Sequence, residues 1–281
     1  MGTEGLLPEI SNDVKQYDYD RWLGCLFTDP SKRDQVMTLL AFNSEIARVR
    51  ETVSEPMLGD IRLQWWREAL EEIQKGQVRA HPVVQALAEL NRVSPIDFHL
   101  MQEMIDMRSR DLDPAPIASE GELIVYADAT GGNLHHLIYN ALGGSGGSNE
   151  VEAVVRSGRA YALSGILRAI PFHAQNDLIL LPTNLIERHS LDPVNLFKKE
   201  HVWSFKKIVE EVCDLAAKEY NEALDLCFDI SKEIKPAVYC NALTSIYLKR
   251  LVKAGYEPAD PGLNPGSLRK IIALFSYRQF G

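Results

Sequence analysis

The chain has 281 residues, 46% apolar and 25% charged, which is ample for a sizeable core and ordinary for a globular protein. A formal net charge of −9 gives no basic footprint for nucleic acid and leaves only a local patch for peripheral contact with an anionic membrane. Cys25, Cys213, Cys227 and Cys240 form no C-x-x-C and stand near no histidine at zinc-finger spacing, so they read as scattered reduced thiols.

The opening MGTEGLLPEISNDVK has neither a basic region nor a long apolar run. No signal peptide is expected from it, and residues 1–15 read as a flexible lead-in. It is acidic, unlike an Arg-rich transit peptide, and no uncharged apolar stretch approaches the ~20 residues of a membrane span. The expected location is cytoplasmic.

Helix signals then follow one another along the chain. A first segment covers Tyr17 to Phe27, and in the turn after it Asp29 or Ser31 is placed to cap the next helix. That helix is expected from Arg33 to Val53, with Leu39, Phe42, Ile46, Val49 and Val53 on one buried face. A neighbouring face carries Ser44, Ala47, Arg48 and Glu51. The next helix begins after Gly59, with Ile61, Trp65, Leu70 and Ile73 inward and Gly76 closing it. HPVVQALAELNRV and FHLMQEMIDMRSRDL give two more, the second bounded by Pro114 and Pro116.

GELIVYADATGGNLHHLIYNALGG keeps helical spacing through the pair Gly131-Gly132, which costs about 1 kcal/mol per glycine against alanine. Such a pair is tolerable where another backbone or a ligand comes close. Residues 143–149, GGSGGSN, read as a flexible connection. Residues 151–170 form a helix with small residues at Gly158, Ala162 and Gly165, and DLILLP is a short apolar run open to an extended form. Helices over 203–226, 236–254 and the final LRKIIALFSYRQ complete the chain. With no strand pattern and no repeat, the reading is all-α, one domain over 1–281 with its core at about 17–275.

Candidate chemistry is sparse. At helical spacing Arg48 reads as paired with Glu51 or Glu55, worth about 0.3–0.5 kcal/mol. The functional reading beside it has Arg48, Arg168 and His173 gripping an anion without metal, as guanidinium forks do. His135 and His136 are adjacent and point apart on a helix, so they read as a buried or interfacial pair. Trp65-Trp66 reads as one ring inward and one at an edge. Asp106 and Asp111 read as caps or partners of Arg108 and Arg110. Tyr126, Tyr161 and Tyr220 are candidates for lining a cavity, as are Ser44, Gly131 and Gly165.

LLAFNSEIARVRE, LQWWREAL, IDMRSRDLD, YADATGGNL, GRAYALSGILRAIPFHAQNDLILLP and IYLKRLVKAGY, in this order, resemble the squalene/phytoene synthase family over Tyr17 to Leu274. The resemblance implies a helical bundle of the isoprenoid-synthase type around a deep apolar cavity. It also implies condensation of prenyl diphosphates, with Mg²⁺ held by acidic motifs on two facing helices. Matched residue by residue, the first motif falls on Ala47, Arg48 and Glu51, so one acid of three remains. The second falls on Ala169, Phe172 and His173, with none. Gly165 stands for an asparagine and Leu178 for a frequent basic residue.

The altered pattern, F-N-x-E-[IL]-A with L-R-A-x-P-[FY]-H, resembles the branch of the family that serves assembly of mitochondrial complex I. It implies a pseudoenzyme with no metal and no cofactor. The implied partners are subunits of the respiratory NADH dehydrogenase, or a prenyl or lipid anion. The implied place is peripheral to the inner membrane, in the mitochondrial matrix if the source is eukaryotic. Mg²⁺ enters only on the alternative reading, a working prenyl transferase.

Overall fold

The computed structural model describes residues 7–280 apart from 114, 145–146, 177, 199–200 and 228–229. Helices α1 (Leu7–Tyr17), α2 (Tyr19–Cys25), α3 (Pro30–Ala47) and α4 (Val49–Thr52) come first. They are followed by α5 (Pro56–Gln74), α6 (Pro82–Val93), α7 (Phe98–Arg108), α8 (Glu120–Ala127) and α9 (Asn133–Leu142). The rest of the bundle is α10 (Ser148–Gln175), α11 (Thr183–Arg188), α12 (Val202–Leu226), α13 (Cys240–Lys253) and α14 (Ser267–Phe280). Among the described residues there is no strand, as the all-α reading expects. No helix among them is long and apolar enough to cross a membrane.

Several boundaries differ from the sequence reading. Leu7–Tyr17 is helical rather than a flexible lead-in, because Ile10 and Val14 bury against α3. Asp29 is the cap of α3: its carboxylate accepts from the Ser31 amide at 2.8 Å, and Pro30 pre-sets the first turn. The expected helix to Val53 is interrupted at Arg48, whose φ of −93° and ψ of 1° lie outside helical values, and α4 follows. Helix α5 starts at Pro56 rather than after Gly59. Its Ile61 faces outward with Met57 and Leu58, while Leu63, Trp66, Leu70 and Ile73 form the buried side. Ser148 already begins α10, so the 143–149 connection is shorter than expected, and its residues 145–146 lie outside the described set. Leu178–Leu181 form no strand; Leu180 and Leu181 bury in the core instead.

Two apolar clusters make up most of the core. One joins α1, α3, α5, α6, α7 and α9 around Phe42, Leu63, Leu87, Met101 and Tyr139. The other joins α8, α10, α11, α12 and α13 around Leu163, Leu185, Ile208 and Val212. Full burial of side chains of this size is worth about 1.5–3 kcal/mol each. Phe42 meets Trp66 edge-on with ring centroids 5.5 Å apart, which ties α3 to α5. Trp65 remains partly exposed under Arg79.

Helix α10 is the axis, packed along α12 and also against α9 and α13. Between α8 and α9 the chain takes one π-helical turn, Asp128–Gly132. A Cβ on Gly131 would overlap the Gly158 carbonyl, and a Cβ on Gly158 would overlap the Gly131 carbonyl. The paired glycines therefore serve a backbone-to-backbone approach. That approach draws the wide turn onto α10 and places Thr130 and Gly131 on the wall of the inner chamber described next.

Candidate functional site

A cleft of about 730 Å³ lies between α2, the end of α3, the middle of α10 and the start of α14. It shares Arg21, Asn43, Arg108, Tyr161 and Gly165 with an inner chamber of about 190 Å³. That chamber is largely apolar, walled by Gly131, Ala162, Ile166 and Leu180. A side chamber of about 90 Å³ continues past Arg108 toward Glu51, Phe172 and His173. The expected apolar cavity is thus an inner chamber behind a charged mouth.

The charges at the mouth are organised by buried tyrosines. Asp20, 6% exposed, accepts from Lys270 Nζ at 2.6 Å, from the Tyr161 hydroxyl at 3.2 Å and from the Tyr247 hydroxyl. Arg168 Nη1 lies 3.4 Å from the same carboxylate, and its guanidinium stacks 3.6 Å from the Tyr247 ring centroid. Burial by itself would raise the Asp20 carboxyl, but Arg168 and the hydrogen bonds from Lys270 and Tyr247 outweigh it and hold the group below its ordinary range.

Arg21 pairs with Asp18 at 2.9 Å and lies over the Tyr161 ring. Its Nε donates to His135 Nε2 at 3.3 Å, while His135 Nδ1 donates to the Ala237 carbonyl at 2.6 Å. Burial, reinforced by Arg21, pushes this histidine down to about 3, so it stays neutral. Arg108 donates to the Tyr126 hydroxyl at 2.7 Å and to Asp111 at 3.2 Å, and Tyr126 donates to Asp111 at 2.7 Å.

Arg48 differs from these. Its guanidinium lies 3.2 Å from the Tyr17 ring centroid, and among the described residues no carboxylate pairs with it. The expected pairing with Glu51 or Glu55 is therefore corrected. Glu51 sits on the far side of the helix break, where it lines the side chamber. The buried Nε of Arg48, the buried Nε of Arg108 and Oδ1 of Asn43 have no hydrogen-bond partner among the described residues, and all three residues line the cleft. Leaving such atoms unmet costs about 1–3 kcal/mol each, a cost a bound ligand can offset.

The other predicted residues fall into place around them. Ser44, Ala47, Arg168, Ala169, Tyr161 and Gly165 line the main cleft with Arg48. Ser44 donates to the Leu40 carbonyl at 3.0 Å. A Cβ at Gly165 would meet nothing within 4 Å, so the position is open to the cleft. Tyr126 and Gly131 line the inner chamber. His173 lines the inner and side chambers rather than the main cleft, which separates it from the expected trio with Arg48 and Arg168; burial pushes its imidazole down. Phe172 is half exposed at the side chamber. Asp106 pairs with Arg67 at 2.7 Å rather than with Arg108 or Arg110, and Tyr220 packs in the second core cluster.

Asp20, Arg21, Asn43 and Lys270 are the residues that sequence reasoning missed. Asp20 and Lys270 are 250 positions apart, and only the closed bundle joins them.

The motif positions on the cleft do not suit Mg²⁺, which is held through carboxylate oxygens together with substrate phosphates and water. The motif positions on the cleft present the methyl groups of Ala47 and Ala169 and the guanidinium of Arg48. Asp20 already receives four protein partners, and among the described residues no group of three His, Cys, Asp or Glu side chains is placed to hold a metal.

The all-helical bundle around a cleft walled by Ala47, Arg48 and Ala169 has a fold of the squalene/phytoene synthase type. The chain belongs to the squalene/phytoene synthase family, whose model matches residues 14–268. Within known proteins it is similar to NADH dehydrogenase (ubiquinone) complex I, assembly factor 6. The mouse protein is 24% identical over 262 residues, 93% of this chain and 78% of the relative. The human protein is 23% identical over 266 residues, 95% and 79% of the two chains. Among solved structures, a dehydrosqualene synthase in complex with ligand superposes with a TM-score of 0.83 at 16% identity, over 99% of this chain and 97% of that one. Squalene synthase HpnC from Alicyclobacillus acidocaldarius gives 0.80 at 13% identity, over 91% and 96%. At these identities the likeness is one of fold.

Proposed function

We propose that this chain is a non-catalytic member of the family that serves assembly of the respiratory NADH dehydrogenase. In this reading its cleft holds a prenyl or lipid anion without metal, and the protein works at the matrix or cytoplasmic side of the membrane. The observation that carries the reading is Arg48, a tyrosine-stacked cation with no carboxylate partner among the described residues, at a position that the resemblance matches to the first acidic motif. Loss of a single preorganised charge stabiliser typically costs about 10²–10³ in rate, and here all of the matched motif acids but Glu51 are replaced. The named function of the mouse and human relatives supports the assembly role.

The test has two arms. Pyrophosphate release from farnesyl and geranylgeranyl diphosphate is measured with Mg²⁺, alongside an Ala47→Asp/Arg48→Asp variant, and NADH dehydrogenase subunits are sought by pulldown from the source organism. The expected result is no turnover by the unmodified protein and recovery of those subunits. Turnover abolished by a chelator would restore the transferase reading. A pulldown free of NADH dehydrogenase subunits would remove the assembly role.

A further inference from the structure

Helix α14 is apolar on two sides. Inward, Leu274 is fully buried, and Lys270 reaches Asp20 at the mouth of the cleft. Outward, Leu268 is 70% exposed, Ile272 56% and Phe275 53%, with Ile271 beside them. These positions recur at three- and four-residue spacing and make one stripe along the helix. At 100° per residue, Arg269 and Arg278 fall on opposite borders of that stripe, and no acidic residue occurs anywhere in Ser267–Phe280.

Beyond the Arg278 end the positive charge continues. A surface groove of about 590 Å³ is lined by Arg33, Lys232, Lys235 and Arg278, against the acids Asp29 and Glu233. In a protein of net charge −9, the exposed apolar ridge is thus bordered by Arg269 and Arg278 and adjoins a groove in which four cations face two acids.

We infer that the outer face of α14 is a docking surface for an anionic lipid bilayer. An apolar stripe bordered by cations is the arrangement by which an interfacial helix lies in a bilayer surface, its apolar side sunk among the acyl chains and its cations at the headgroups. The four apolar side chains line none of the cavities described above, so they form a ridge suited to insertion. The inward Lys270 ties this face to the cleft mouth, so the docked helix would bring the mouth close to the lipid.

The test is co-sedimentation of the full chain with phosphatidylcholine vesicles and with vesicles containing phosphatidylglycerol as well. Leu268→Ser/Phe275→Ser and Arg269→Glu/Arg278→Glu variants are compared, with circular dichroism confirming that each is folded. Binding is expected to the anionic vesicles, to weaken with added salt, and to fall about tenfold or more in each variant. No binding to either vesicle would overturn the inference, as would binding that both variants retain. A dimer in sedimentation equilibrium that disappears in the Leu268→Ser/Phe275→Ser variant would assign the stripe to a second copy instead.

Discussion

Replacing Asp20 by asparagine removes the charge on which the mouth of the cleft is built. Lys270 is only 7% exposed, and its ammonium lies 2.6 Å from the Asp20 carboxylate. In the variant that ammonium would stay buried against a neutral amide. Arg168 and two tyrosine hydroxyls would compete for one carbonyl oxygen, and the amide N–H₂ would turn donors toward donors. Breaking a buried pair on one side costs about 3–5 kcal/mol, because the remaining charge is left uncompensated. For a chain of this length that is a fall in midpoint on the order of 10 °C.

Urea and thermal unfolding followed by circular dichroism measure this directly. Adding Lys270→Met should recover part of the loss, with a coupling of more than about 1 kcal/mol. The pH dependence carries its own sign. The folded-state carboxyl lies below the unfolded value of 3.8, so its contribution is complete above that pH and is lost as pH falls through the depressed value. An Asp20→Asn protein within about 1 kcal/mol of the parent at neutral pH would refute the network as a stabilising unit.

His135, buried neutral with a value near 3 against 6.5 when unfolded, should make stability fall by about 1.4 kcal/mol per pH unit as pH drops below 6.5 toward 3. Urea midpoints at a series of pH values would show this slope flattened in His135→Gln, and an unchanged slope would assign it to other groups. Gly158→Ala should destabilise by about 1–3 kcal/mol or more despite the better helix propensity of alanine, because the new methyl overlaps the Gly131 carbonyl and comes within 3.0 Å of His135 Cβ. A raised thermal midpoint for that variant would mean that α10 and the π-helical turn separate freely.

The helical architecture was legible because its signals are local. The Leu39, Phe42, Ile46 and Val49 stripe is buried as its spacing requires, and the Gly131-Gly132 pair marks a close backbone approach. The degraded motifs were legible through resemblance, and the structure sets Ala47, Arg48 and Ala169 on one cleft. What stayed hidden was tertiary. Ile61 fits an inward helical spacing, yet α5 turns its Leu63 and Trp66 side to the core. Arg48 had carboxylates at ideal helical distance, but the backbone breaks beneath it and Tyr17, thirty-one positions earlier, takes the guanidinium. The Asp20 network draws on α2, α10, α13 and α14, so no window of sequence contains it.

The interruption of the helix at Arg48 also bears on ancestry. Ala47 ends one helical segment, and Glu51 rides on the next. Two point mutations returning acids to 47 and 48 would put them astride a bend, with the third acid on a separate piece of backbone. They would also strip Tyr17 of the cation lying on its ring and unsettle the end of α1. Reversion thus asks for side chains, backbone and a neighbouring helix to change together. A chain built this way is held there by its own packing, which a change at one or two side chains does not undo.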